Sequence, residues 1–315
     1  MTAPTTHGLP GSVSIREVGP RDGLQNEPPV STEDKVELLS ALSHTGLRRI
    51  EAVSFVHPRA IPQMADAEQV WSSISPADGV RYSALVPNLR GAERALQAGF
   101  GELEVVVSAS DTHNRANLNR STQDSLAELP ALAQAARTGG ASLQLIVSTA
   151  WGCPYEGDIA VAAVLDVARA GIEAGAESVV YGDTTGMATP TRVTELVRAS
   201  HEAFGSLPLG LHLHNTRGTG LANVYAGLLA GVDDFDASVG GLGGCPYAPG
   251  ASGNIATEEL VHMLEDMGVA TGVDLDALLG VAARAEQIMG RELPSQVLRA
   301  GPRTRLTPLP PVSHG

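Results

Sequence analysis

Short runs of Val, Ile and Leu recur along the chain, each followed by a longer stretch in which apolar residues return every three or four positions. A nearly continuous apolar run of five or six residues reads as a strand buried on both faces. The longer period reads as an amphipathic helix. Eight runs qualify as strands: 13–18, 49–54, 81–86, 103–108, 143–148, 178–181, 210–214 and 234–239. Helical periodicity occupies stretches such as 34–43, 88–98, 125–136, 159–174, 191–204 and 220–230. Gly46, Gly99, Gly175 and Gly231 stand where several of these helices should close in a left-handed cap. Eight strand–helix units predict an α/β fold, a (β/α)8 TIM barrel over 12–295 with additional C-terminal helices after Thr257. The rival is an open, doubly wound sheet. It is weakened because no Gly-x-Gly-x-x-Gly follows the first strand. Residues 1–11 are expected to be a disordered N-terminus, and 296–315, proline-rich toward its end, a disordered tail.

Composition narrows the chemistry. Hydrophobic residues make up 43% of the 315 but aromatic ones only 3%, so the core must be built from Val, Leu, Ile and Ala. The net charge of −14 argues against nucleic acid as a partner, since phosphate neutralisation needs basic surface. No apolar stretch approaches a membrane span, so no membrane partner is expected either. The two cysteines, with no secretory pattern at the N-terminus, fit a reducing compartment, and a cytoplasmic protein is expected. Lys35 is the sole lysine and opens a capped amphipathic helix, where it is expected to face solvent. Schiff-base chemistry needs a desolvated lysine. A carbanion handled here must instead be stabilised by a metal or by arginine.

In a barrel the chemistry belongs at the C-terminal ends of the strands. The polar residues that stand out fall there: Arg21 and Asp22 after the first strand, Glu51 in the second, Asp183 at the end of the sixth, and His212 and His214 at the end of the seventh. In Leu211-His212-Leu213-His214 the strand period puts both imidazoles on one side and both leucines on the other. Such a pair suits one metal ion, or forms a hydrogen-bonded structural couple. Asp22, from the first strand, and Asn254, from the loop after the eighth, tip the reading toward metal. One carboxylate, two imidazoles and one amide oxygen with open positions favour Mg²⁺ or Mn²⁺ over structural Zn²⁺. The glycine-rich stretch 240–254 carries Cys245, a thiol on a loop shaped for close approach to a ligand and so a candidate reactive group.

These motifs together resemble one family. Glu17-Val-Gly-Pro-Arg-Asp-Gly-Leu-Gln-Asn-Glu27, Glu51-Ala-Val-Ser-Phe-Val, Val86-Pro-Asn-Leu, Gly152-Cys-Pro-Tyr-Glu-Gly157, Gly182-Asp-Thr-Thr-Gly186, His212-x-His214 and the 241–254 loop are similar to those of the 3-hydroxy-3-methylglutaryl-CoA lyases. That family belongs to the metal-dependent lyases named for an Asp-Arg-Glu set on a (β/α)8 barrel. The resemblance implies that Asp22, His212, His214 and Asn254 bind the divalent cation and that Arg21 stabilises charge on the thioester oxygen. It implies that Glu51 orients Arg21 and that Asp183 joins the same cluster or assists proton transfer. Cys245 would protonate the departing enolate. It implies an acyl-CoA substrate, with Gln25 and Arg217 as candidate substrate contacts, and a homodimer or higher homo-oligomer. Another acyl-CoA lyase or a Claisen-condensing enzyme of the same superfamily is the alternative, and a metal-binding barrel without turnover a further one. Asn215, Thr216 and Arg217 depart from the family pattern, as does Trp151, and all are expected beside the acyl pocket. Arg217 could meet a CoA phosphate or an acyl carboxylate, or be a solvated loop residue.

Overall fold

The computed structural model describes residues 8–244 and 253–306. Eight parallel strands close into a barrel: β1 (Ser14–Glu17), β2 (Arg49–Ser54), β3 (Arg81–Leu85), β4 (Glu102–Ser108), β5 (Ser142–Ser148), β6 (Ser178–Gly182), β7 (Leu209–His212) and β8 (Asp234–Ala237). Pairing of β1 with β8, from Ser14 opposite Asp234 to Glu17 opposite Ala237, completes the ring. The surrounding helices are α1 (Thr32–Leu42), α2 (Ala67–Ser73), α3 (Leu89–Gln97), α4 (Asp111–Leu118), α5 (Thr122–Thr138), α6 (Val161–Ala174), α7 (Pro190–Phe204) and α8 (Gly220–Leu229). Beyond β8 come α9 (Thr257–Asp266), α10 (Leu275–Met289) and α11 (Gln296–Ala300). The expected (β/α)8 barrel with extra C-terminal helices is what the chain forms.

The apolar layer lies between strands and helices, as the alternation on β7 illustrates. Leu211 and Leu213 are fully buried on the outer side. Helix α8 reaches Leu211 closely only because residue 227 is glycine: a Cβ there would sit 2.6 Å from a Leu211 methyl. α4 has almost no apolar face, and its start is set by a cap, the Ser110 hydroxyl accepting from the His113 amide at 3.1 Å.

Three expectations need correction. Lys35 does not face solvent. It is buried beneath α2, its Nζ donating to Asp66 and to the Gln63 carbonyl at 2.6 Å each. It lies outside the barrel mouth and is spoken for, so the argument against Schiff-base chemistry stands on different ground. Of the expected disordered segment 1–11, residues 1–7 lie outside the described residues, and its last residue is held, the Gly11 carbonyl accepting from Ala270 N at 3.0 Å. The expected tail from 296 begins as helix α11, capped by the Ser295 hydroxyl, while its end, residues 307–315, lies outside the described residues. Among the described residues no helix is long and apolar enough to cross a membrane.

Candidate active site

The turn after β1 sets the site. Residues Gly19–Gly23 wind into a single π-helical turn that presents Arg21 and Asp22 at the mouth of the barrel. Glu17 holds this turn against the end of β8. One carboxylate oxygen accepts from Gly19 N (2.7 Å) and Val239 N (2.8 Å), and the other from the Thr257 hydroxyl (2.6 Å). Burial nevertheless pushes the Glu17 carboxyl up to about 7, against those three donors.

Arg21 is the pivot. Its Nε lies 2.6 Å from Glu51 and its Nη1 2.9 Å from Asp22. Burial alone would weaken the guanidinium's charge, but the two carboxylates outweigh it and hold it cationic. Burial likewise drives the Glu51 carboxyl well above its usual range, opposed by Arg21 and reinforced by Glu104. Asp22 feels the same burial, yet Arg21, His212 and the Asn254 amide keep it below the ordinary carboxylate range.

The parity inferred for β7 holds in three dimensions. The Nε2 atoms of His212 and His214 face each other at 3.2 Å, and Asp22 Oδ2 lies 3.9 Å from His212 Nε2. Asp22, His212 and His214 each offer a ligand atom within 4.8 Å of the others. Burial, with the neighbouring His212, lowers His214 to about 3, so its ring is neutral and its lone pair available. An ionised carboxylate and two facing imidazole nitrogens fit a divalent cation. Asn254 is brought to the same place through its bridge to His214, but its amide nitrogen faces the group, donating to Asp22 Oδ2 (2.8 Å) and to the Leu242 carbonyl (3.0 Å). In this arrangement it braces Asp22; as a ligand it must turn its oxygen inward. Two loop glycines make the approach possible. A Cβ on Gly243 would lie 2.4 Å from the Asn254 amide nitrogen, and one on Gly253 only 1.9 Å from the Gly243 carbonyl, both at positive φ.

A cavity of about 500 Å³ opens over this cluster. It is lined by Arg21, Asp22, His212 and His214 and by apolar side chains that include Ile61, Leu85, Val106 and Ile146. Gln25, expected as a substrate contact, lines it, with its buried carbonyl oxygen lacking a hydrogen-bond partner. The buried hydroxyls of Ser54 and Ser148, which sequence reading passed over, line it in the same condition. Buried polar atoms left without partners beside a cavity mark where a ligand's polar groups belong. Asp183 lies between two lining residues, Gly182 and Thr184. Its Oδ1 accepts from Met187 N and Ala188 N, and burial pushes its carboxyl up to about 6 against those bonds. Gly243 and Gly244 line the cavity; Cys245, the next residue in sequence, lies outside the described residues.

Two residues expected beside the acyl pocket are not among those that line this cavity. Arg217 is not part of the cavity wall. It is exposed, and its guanidinium donates to the carbonyls of Thr185 (2.6 Å) and Gly186 (3.0 Å), tying the loop after β7 to the loop after β6. Trp151 is buried, its indole N–H donating to the Arg192 carbonyl on α7 at 3.2 Å. Cys153 is a buried free thiol that accepts from the Ser110 hydroxyl at 3.0 Å.

Sequence reading also missed a second set of charges deeper in the barrel. Arg16 grips Asp236 with two bonds, Nε to Oδ1 at 2.9 Å and Nη2 to Oδ2 at 2.6 Å. Its Nη1 lies 2.5 Å from Glu104 and also contacts Gln144. Burial would raise the Asp236 carboxyl, but Arg16 and His212 together carry it well below the usual range. A visible signal existed: Arg16, Glu104 and Asp236 are charges inside strands whose surroundings are apolar.

Comparison with known proteins bears on all of this. The model of the HMGL-like family matches residues 12–284. Hydroxymethylglutaryl-CoA lyase YngG of Bacillus subtilis (strain 168) is 48% identical, covering 92% of this chain and 97% of that protein. (R)-citramalyl-CoA lyase of Chloroflexus aurantiacus is 43% identical, covering 92% and 95%. An HMG-CoA lyase from Acinetobacter baumannii, solved with coenzyme A and 3-methylmalate, superposes with a TM-score of 0.91 at 43% identity, covering 98% of this chain and all of that one.

Proposed function

Because the chain belongs to the HMGL-like family, we propose that it is an acyl-CoA carbon–carbon lyase that cleaves 3-hydroxy-3-methylglutaryl-CoA, or a close 3-hydroxy-3-alkylglutaryl-CoA analogue, to acetyl-CoA and acetoacetate or the matching 3-oxo acid. The observation that carries this reading is the convergence of a charged Arg21 with Asp22, His212 and His214 at one cavity.

The reaction is a retro-Claisen cleavage. The tertiary hydroxyl gives up its proton and becomes a carbonyl. The adjacent carbon–carbon bond breaks, and its electron pair becomes the enolate of the acetyl thioester, which takes a proton on carbon. A divalent cation, Mg²⁺ or Mn²⁺, held by Asp22, His212 and His214 with Asn254 beside them, would lower the hydroxyl's pKa. Arg21 faces the charge that develops on the thioester oxygen. That interaction is worth most in the transition state, inside a site screened from water. Glu51 fixes the guanidinium from behind through the 2.6 Å ion pair. Asp183, whose carboxyl burial pushes up to about 6, is assigned the hydroxyl's proton. Cys245 is assigned the proton delivered to the enolate, because a thiol is a far stronger acid than a hydroxyl. Gln25, Ser54 and Ser148 offer their unpaired polar atoms to the substrate. A metal-binding barrel without turnover is disfavoured, since it has no use for Arg21 clamped between Glu51 and Asp22.

The experiment is a turnover assay. Purified protein with Mg²⁺ or Mn²⁺ is given a panel of 3-hydroxy-3-alkylglutaryl-CoA thioesters and citramalyl-CoA, and acetyl-CoA is measured. Release of acetyl-CoA with a 3-oxo acid, abolished by EDTA and restored by metal, supports the reading. Preference for citramalyl-CoA moves the acyl group to that of the Chloroflexus relative. No acetyl-CoA from any thioester overturns it.

A further inference from the structure

His212 and His214 are treated unequally by the barrel. His214 Nδ1 has no hydrogen-bond partner among the described residues. His212 Nδ1 lies 3.1 Å from Asp236 Oδ2. Three adjacent strands place the residues side by side in register: His212 on β7 opposite Asp236 on β8, and Asp236 opposite Arg16 on β1. Arg16 is 1% exposed and Asp236 3%. Burying a guanidinium and a carboxylate together is costly and adds little net stability over apolar packing. Their presence on neighbouring strands therefore calls for another reason.

We propose that Asp236, locked by Arg16, is a positioning residue that fixes the tautomer and orientation of His212 for metal binding. The proposal deepens the metal-site reading and rests on it. An ionised carboxylate can only accept hydrogen bonds. Arg16 occupies Asp236 from the far side with two charge-assisted bonds and is itself tethered by Glu104 and Gln144. Asp236 thus has no freedom to turn away, and the ring opposite it must carry its proton on Nδ1. The lone pair is then on Nε2, the atom that faces His214 and Asp22. Carboxylate partners on the remote nitrogen of a ligating imidazole raise its basicity and fix its plane.

The test is Asp236→Asn, which keeps the shape but lets the amide either donate or accept, so that His212 is no longer forced into one tautomer. Mn²⁺ binding to the apoprotein is measured by calorimetry, alongside the apoprotein's melting temperature. The expected result is a loss of affinity of about 10- to 100-fold. A merely structural role would lower the melting temperature and leave Mn²⁺ affinity within a factor of three, and that outcome overturns the proposal. Should the variant not fold, ¹⁵N-histidine spectra of the wild-type apoprotein decide. His212 in the Nδ1–H form supports the proposal, and the Nε2–H form overturns it. Failure of the wild type to bind Mn²⁺ sinks the metal-site reading and the proposal together. Equal affinity in wild type and variant sinks the proposal alone.

Discussion

The barrel encloses two sets of charges, one above the other, and they are built on different terms. In the lower set Arg16 commits Nε, Nη1 and Nη2 to partners, and Arg16, Asp236 and Glu104 are all but inaccessible. In the upper set the Asp22 side chain is 20% exposed, Gln25, Ser54 and Ser148 hold unpaired polar atoms, and a cavity stands over them. Both Glu104 oxygens, though ion-paired to Arg16, also lack a hydrogen bond, but Glu104 does not line the cavity; the unpaired atoms of the upper set do, where a ligand can complete them. The same residue types therefore serve as scaffold below and as reactive surface above, joined where Asp236 meets His212.

The contrast breaks first if charged residues from the two layers respond alike in stability. Arg16→Met strands Asp236 and Glu104 without a cation in a dry interior. Removing one partner of a buried ion pair costs about 3–5 kcal/mol. Urea unfolding should show a loss of that order, far exceeding the loss from Asp22→Asn. Equal losses would erase the distinction between layers.

Arg21→Met should reverse the pattern. The guanidinium meets charge that appears only as the bond breaks, so kcat should fall by about 10²- to 10³-fold while KM changes little. A loss confined to KM would recast Arg21 as a binding residue and make the upper layer a docking site rather than a reacting one.

Asp183 sharpens the contrast through pH, with opposite signs for stability and activity. Burial lifts its folded pKa to about 6, above the unfolded value, so the folded state favours the protonated form. Its contribution to stability is complete below about pH 4 and is lost as pH rises through 6. By linkage the effect is on the order of 3 kcal/mol. A base role needs the ionised form, so activity should instead rise through pH 6. Asp183→Asn keeps acceptors for Met187 N and Ala188 N but cannot titrate. It should flatten its part of the stability curve and remove the limb near pH 6. Retention of that limb would assign the proton to another group.

How much of this was legible depends on distance along the chain. Strand positions came through because parallel strands, buried on both faces, write themselves as local apolar runs. Even so β7 ends at His212, since beyond it the chain leaves β8 and bridges to Asn254. The facing of His212 and His214 was legible because a two-residue period needs no tertiary knowledge. The Arg16–Asp236 pair was not: 220 residues separate the two, and only barrel closure between β1 and β8 sets them opposite. Lys35 was misplaced for the same reason, because the Asp66 that buries it comes from another βα unit. Trp151 and Arg217 were placed by proximity to site residues in sequence, and proximity alone does not say which side chains line the cavity: neither is among its lining residues.

The smallest expected effect concerns Arg217, and it tests the upper layer's boundary. The residue is three positions past His214, carries a charge, and still does not line the cavity. Its guanidinium instead braces two loops through the carbonyls of Thr185 and Gly186. A hydrogen bond from a charged donor is worth about 1.5–3 kcal/mol when buried. Arg217 is exposed, so solvent screens the interaction and about 1 kcal/mol or less remains. Arg217→Tyr should therefore lower stability slightly and leave the ranking of acyl groups across the thioester panel unchanged. A uniform rise in KM for every CoA thioester would mean the guanidinium meets a CoA phosphate in the bound state. A changed ranking would bring it to the acyl carboxylate and extend the reactive layer past β7. A flat panel confines that layer to the residues that touch the cavity, however close in sequence their neighbours stand.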